Sequence, residues 1–151
     1  MLLKDYLGVN TFRRAFQAFL SDWAYKHPYP WDLFNTFERE TGENLEWFWR
    51  SWFYETWTLD HGIKEVKPVP NGTTVIVSDE GKAVMPATVS LVLQDGGVLK
   101  KTVPVSVWLD GNREHQLTFE HEGEVKRVEV DADFDMPDTD RRNNMWVPEQ
   151  D

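Results

Sequence analysis

Ten residues constrain this chain more than any others: Leu45-Glu46-Trp47-Phe48-Trp49-Arg50-Ser51-Trp52-Phe53-Tyr54. Within them only Glu46, Arg50 and Ser51 are polar, with Glu55 following. The segment predicts a helix from Leu45 to about Thr56, capped by Asn44. A helix that is apolar on most sides needs cover on most sides. An aromatic face of several hundred Å² left in water is a liability for a lone monomer. The cover is expected from structure upstream of this chain or, alternatively, from the later part of the chain folding back.

The neighbouring helices are amphipathic, with one stripe each. Leu2 to Leu7 reads as the last turns of a helix closed by Gly8, a left-handed cap, and such a helix is expected to have begun in a longer chain. Asn10-Thr11 offers the next N-cap. Phe12, Phe16, Phe19, Leu20 and Trp23 then recur at helical spacing. Pro28 and Pro30 stop that helix, and Pro30 also suits the first position of the next one. Leu33, Phe34 and Phe37 form its face, and Gly42 ends it.

Six of the eight tryptophans precede residue 60, whereas the later part carries alternating Val and Leu. The composition changes near Gly62, giving an expected helical part over 1–62 and a β-part over 63–151. Strands are predicted at Thr73–Val77, Val89–Leu93, Val103–Trp108, Gln116–Phe119 and Val125–Val130. Asn71-Gly72, Asp95-Gly96-Gly97, Asp110-Gly111-Asn112 and Glu122-Gly123 mark turns between them. Ile63 to Pro70 is read as a connector, and Pro104 as an edge or bulge. The expected class is therefore α+β (mixed): a short α-helical bundle segment followed by an antiparallel Ig-like β-sandwich.

With 151 residues, 40% of them hydrophobic, the chain can bury a real core. Its formal net charge of -10 argues against nucleic acid and anionic membranes as partners. No apolar run approaches the roughly 18 residues of a membrane helix. The absence of Cys excludes disulfides and thiolate metal sites and leaves the compartment open.

Candidate chemistry is sparse. His27, His61, His115 and His121 include no i, i+4 helical pair, so the His-Glu-x-x-His zinc arrangement is absent. Glu120-His121-Glu122 reads as a solvated turn, and His61 as a capping or packing residue. The stretch Asp131-Ala132-Asp133-Phe134-Asp135 has the spacing of a calcium loop, but Met136 stands where an EF-hand needs Gly, and Arg142 where it needs Glu. Calcium on Asp131, Asp133, Asp135, Asp138 and Asp140 is the alternative to a solvated loop. The tryptophans read as core or buried interface, with a sugar-stacking platform as the alternative.

Several stretches taken together resemble the C-terminal end of a gluzincin-type zinc aminopeptidase of the alanyl/leucyl family. They are Leu7-Gly8 through Phe12-Arg13-Arg14-Ala15-Phe16, Trp23-Ala24-Tyr25-Lys26-His27-Pro28-Tyr29-Pro30-Trp31-Asp32-Leu33-Phe34, and Glu40-Thr41-Gly42-Glu43-Asn44-Leu45. Trp47-Phe48-Trp49 and Trp52-Phe53-Tyr54-Glu55-Thr56-Trp57-Thr58-Leu59-Asp60 continue the likeness, and Phe134-Asp135-Met136-Pro137 through Asn144-Met145-Trp146 ends it. The resemblance implies that 1–62 corresponds to the closing helices of a thermolysin-like catalytic domain, and the rest to the sandwich that follows.

The family's zinc ligands, general base, substrate-amine motif and stabilising Tyr are expected upstream. The resemblance therefore carries no catalytic, cofactor or metal residue onto this chain, not even Tyr6. Zinc is expected only in the full-length parent. The implied role is a structural portion of that enzyme, inactive alone, whose partner is the upstream catalytic half or a second copy through the Trp-rich helical surface. The alternative is a stand-alone module that binds a protein or a glycan.

Overall fold

A computed structural model describes residues 2–149. The chain divides into two compact units, Met1–Thr56 and Trp57–Asp151. The division precedes Gly62 because the segment before Gly62 is already tied to the second unit. The Thr58 carbonyl accepts the Lys82 and Ala83 amides at 3.0 and 3.1 Å, and the Asp60 carbonyl accepts the Glu80 amide at 2.7 Å.

The first unit is helical. Helix α1 (Leu2–Leu7) is separated from α2 (Val9–Trp23) by Gly8 alone, whose φ of 77° is one that residues other than glycine rarely adopt. With Gly8 as the boundary, α2 begins at Val9, so Asn10 and Thr11 lie inside its first turn and not at the N-cap. Helix α3 (Pro30–Thr41) starts at Tyr29, whose backbone N–H donates to Asp32 Oδ2 at 2.7 Å. It ends on left-handed Gly42, whose N–H bonds the Glu38 carbonyl at 2.8 Å.

The aromatic segment forms α4 (Glu46–Trp49) and then a π-helical turn, Arg50–Tyr54, in place of the single α-helix expected to about Thr56. The Glu55 amide reaches back five residues to the Arg50 carbonyl at 3.1 Å. Asn44 acts as expected in one respect: its Oδ1 accepts the Glu46 amide at 2.9 Å. The core of the unit is aromatic. Phe34 stacks on Trp49 at 4.3 Å between ring centroids, and Phe37 meets Trp49 edge-on at 6.0 Å. Such pairs add about 0.5–1.5 kcal/mol each beyond their buried area.

The second unit contains two antiparallel sheets. Strands β1 (His61–Val69), β2 (Gly72–Asp79) and β5 (Glu114–Glu120) form one sheet in the order β1-β2-β5. Strands β3 (Ala87–Leu93), β4 (Val98–Val103), β6 (Val125–Val130) and β7 (Met145–Trp146) form the other, in the order β4-β3-β6-β7. Val75, Val77, Leu117 and Phe119 from the first sheet and Val89, Leu91, Val128 and Val130 from the second bury one shared core. The molecule is thus α+β, with helices first and sheets after.

Two further expectations fail on local chemistry. The expected Val103–Trp108 strand is the end of β4 followed by a short helix, α5 (Val105–Leu109). Pro104, with φ -70° and no N–H to give a ladder, closes the strand and starts the helix. The supposed connector from Ile63 to Pro70 is strand β1. Its alternation is hidden by a bulge between Ile63 and Glu65, and Pro68 is tolerated because β1 is an edge. Strand β4, with two lysines at its centre, also escaped the apolar pattern.

Candidate functional site

The strongest perturbation of side-chain chemistry lies at the start of β1. His61 sits opposite Asp79 in the β1–β2 register, and both are 2% exposed. The His61 ring lies 5.5 Å from the Trp108 indole. Its backbone N–H donates to Asp138 Oδ2 at 2.9 Å, while its Nε2 is buried without a protein partner. Burial pushes the imidazole down to about 4, with Asp138 and Asp131 acting in the opposite direction. Burial likewise raises Asp79 to about 6, against the nearby Arg113. Arg113 NH1 donates to Asp79 Oδ2 at 2.9 Å and closes the cluster from its half-exposed side.

Asn143 and Asn144 complete the network. Asn143 Nδ2 donates to Asp60 Oδ1 at 2.8 Å, and Asn144 Nδ2 to Asp138 Oδ2 at 3.2 Å. At neutral pH His61 is an uncharged, buried imidazole that lines a small cavity of about 90 Å³ with Asp131 and Asp138. The cluster ties the 57–62 segment, the β1–β2 sheet and the loop after β6 to one another.

The acidic stretch works as a clasp. Asp131 Oδ1 accepts the Asp135 amide at 3.0 Å, and its Oδ2 accepts the Met136 amide at 3.1 Å and Arg141 NH1 at 2.7 Å. Asp133 pairs with Lys100 at 2.8 Å, and Asp140 with Arg142 at 2.7 Å. Asp131, Asp133 and Asp140 thus already accept protein donors at the oxygens a calcium ion would use. His27 is exposed after α2, whereas His115 is half-buried on β5. His121 is held by Thr73, with Nε2 and Oγ1 2.9 Å apart, so the Glu120-His121-Glu122 turn is anchored. Among the described residues no group of three His, Asp or Glu side chains could hold a metal ion. These donors do not fit zinc, which needs about three converging ligands.

Both units carry concave surfaces, among them a cavity of about 460 Å³ lined by Trp31, Phe34, Trp49 and Tyr54. On the helical unit, Leu3, Phe12, Phe16, Phe37, Trp49 and Phe53 line an apolar groove of about 220 Å³. Phe16 is 41% and Phe53 56% exposed. Nearby, Tyr29 and Trp31 stack at 4.6 Å with both rings largely in solvent. On the β-unit, a cleft of about 970 Å³ opens where the β1–β2 and β5–β6 turns meet the segment after β7. The sequence singled out the aromatic segment and His61. It did not mark the cleft, whose walls come from four stretches far apart in the chain.

No protein-family model matches this sequence, and neither does any curated protein.

Proposed function

We propose that the chain is the C-terminal structural portion of a zinc metallo-aminopeptidase, an enzyme that removes N-terminal residues from peptides, and that it is non-catalytic alone. The observation that carries this reading is the apolar groove on the helical unit, whose Phe16 and Phe53 rings stand in water. A surface of this chemistry is what a buried interface with an upstream catalytic half would require. The order of the stretches resembling the gluzincin aminopeptidases, from Leu7 to Trp146, supports the same assignment. Among the described residues no group of three His, Asp or Glu side chains converges on a metal position, and on this reading the zinc and its activated water lie in the other half of the enzyme.

Two measurements test the proposal. Elemental analysis of the purified chain, paired with hydrolysis of alanyl- and leucyl-anilides, is expected to give zinc well below stoichiometric and no turnover. Co-expression with the upstream half encoded in the same reading frame is expected to yield a complex that Phe53→Asp disrupts. An upstream frame without a zinc motif, or chelator-sensitive turnover by this chain alone, overturns the proposal. The exposed Tyr29–Trp31 pair favours a second reading, a glycan-binding module. Titration with oligosaccharides, compared with Trp31→Ala, separates the two.

A further inference from the structure

The cleft in the β-unit has a one-sided chemistry. Its rim carries Glu120, Glu122 and Glu124, all exposed, and none makes an ion pair among the described residues. No lysine or arginine is among its described lining residues. Of the basic residues flanking it on β1 and β6, Lys67 pairs with Glu65 and Arg127 with Glu129, each at 2.8 Å, while Lys126 is exposed beside Val125. Between the glutamates the wall is apolar, formed by Pro68, Val125 and Trp146 among others. A volume of about 970 Å³ is large enough for several residues of a peptide.

The surrounding sheet favours an extended occupant. β7 pairs only with Val128 and Glu129 of β6, so pairing along that edge stops short of Val125, whose other edge is paired with Leu93 of β3. We infer that this cleft binds an extended basic segment of another protein, in which lysine or arginine alternates with apolar residues. The basic side chains meet the three glutamates, and the apolar ones pack on Trp146 and Val125. Alternation suits the site because successive side chains of an extended peptide point to opposite sides. This inference is independent of the aminopeptidase assignment.

The test uses the full chain and a fluorescein-labelled peptide of alternating lysine and leucine, followed by fluorescence polarisation. Binding is expected to weaken as salt is added. The triple variant Glu120→Gln, Glu122→Gln, Glu124→Gln is expected to weaken it by about tenfold, the combined effect of three exposed pairs. All three residues are exposed, and circular dichroism verifies that the variant folds.

A charge-matched control, Glu46→Gln, Glu80→Gln, Asp110→Asn, alters exposed acids outside the cleft and is expected to change affinity by less than about twofold. Equal losses in the two triple variants would reduce the effect to the general attraction of a chain of net charge -10 and overturn the inference. Equal binding of a lysine–serine peptide would also overturn it, because the apolar wall would then contribute nothing. Absence of binding at low salt would do the same.

Discussion

His61 and Asp79, paired across β1 and β2, are expected to oppose each other in the pH dependence of the β-unit. The His61 imidazole falls from 6.5 to about 4 on folding, so the folded unit takes up this proton less readily than the unfolded chain. Its contribution to stability is complete above pH 6.5 and is lost as the pH falls towards 4. Asp79 rises from 3.8 to about 6, so the folded unit takes up that proton more readily. Its contribution grows as the pH falls below 6 and is complete below 3.8. A tenfold change in proton affinity on folding is worth ~1.36 kcal/mol. Acidification from about pH 7.5 to about pH 5 therefore removes about 2 kcal/mol through His61 and returns about 1 kcal/mol through Asp79.

The unsubstituted protein should therefore change by only about 1 kcal/mol over this range. Asp79→Asn should lose about 2 kcal/mol, and His61→Leu should gain about 1 kcal/mol. Urea unfolding followed by hydrogen exchange of β2 and β3 peptides reports on the β-unit separately. Stopping at about pH 5 avoids Asp140, held down to about 2 by its hydrogen bond from Arg142 and so silent in this range. Parallel pH profiles for all three proteins would refute the opposition.

Further outcomes follow from packing. Gly72→Ala places a Cβ 1.9 Å from the Phe119 carbonyl oxygen at a φ of 150°, and is expected to cost more than about 2 kcal/mol by urea unfolding. Leu91→Ala empties a fully buried position between the sheets and should cost about 2–5 kcal/mol in the same assay. Phe53→Ser removes ring contacts with Phe34 at 5.1 Å and Trp49 at 5.5 Å and should cost about 1–3 kcal/mol by urea unfolding, while reducing self-association in sedimentation velocity because the ring is also 56% exposed beside the groove. Tyr6, pushed up to about 12 by burial and its hydrogen bond to Glu43, should titrate late in ultraviolet absorption, and Tyr6→Phe should remove that step.

The sequence was legible where a residue type has one local meaning. Gly8 and Gly42 end helices, Pro30 begins one, and the alternation of Val89 to Leu93 marks a central strand. It misled where two local meanings compete. Pro104 fits both an edge strand and a helix start, and the segment after it resolved as α5 because the chain there can bury Val105 and Trp108. In β1 the bulge after Ile63 shifts the period, so the strand read as a connector. The polar network of His61 and the acid-rimmed cleft depend on strand pairing between distant stretches, which no local pattern encodes. The role of Asp131 escaped for the same reason: Arg141 and the amides of Asp135 and Met136 meet it only once the loop has closed.

The π-helical turn over Arg50–Tyr54 has a consequence for how this segment tolerates changes of length. A wider turn brings residues four and five positions on towards the same side, where an α-helix would set them about 100° apart. Here Phe34 is met by Trp49, by Phe53 at 5.1 Å and by Tyr54 at 6.0 Å, so one ring is enclosed from a single segment. In phase terms the turn behaves as one residue inserted into an α-helix. Deletion of Ser51 would return the segment to α-helical phase and carry Tyr54 away from Phe34, whereas a second insertion would have no wider turn to absorb it.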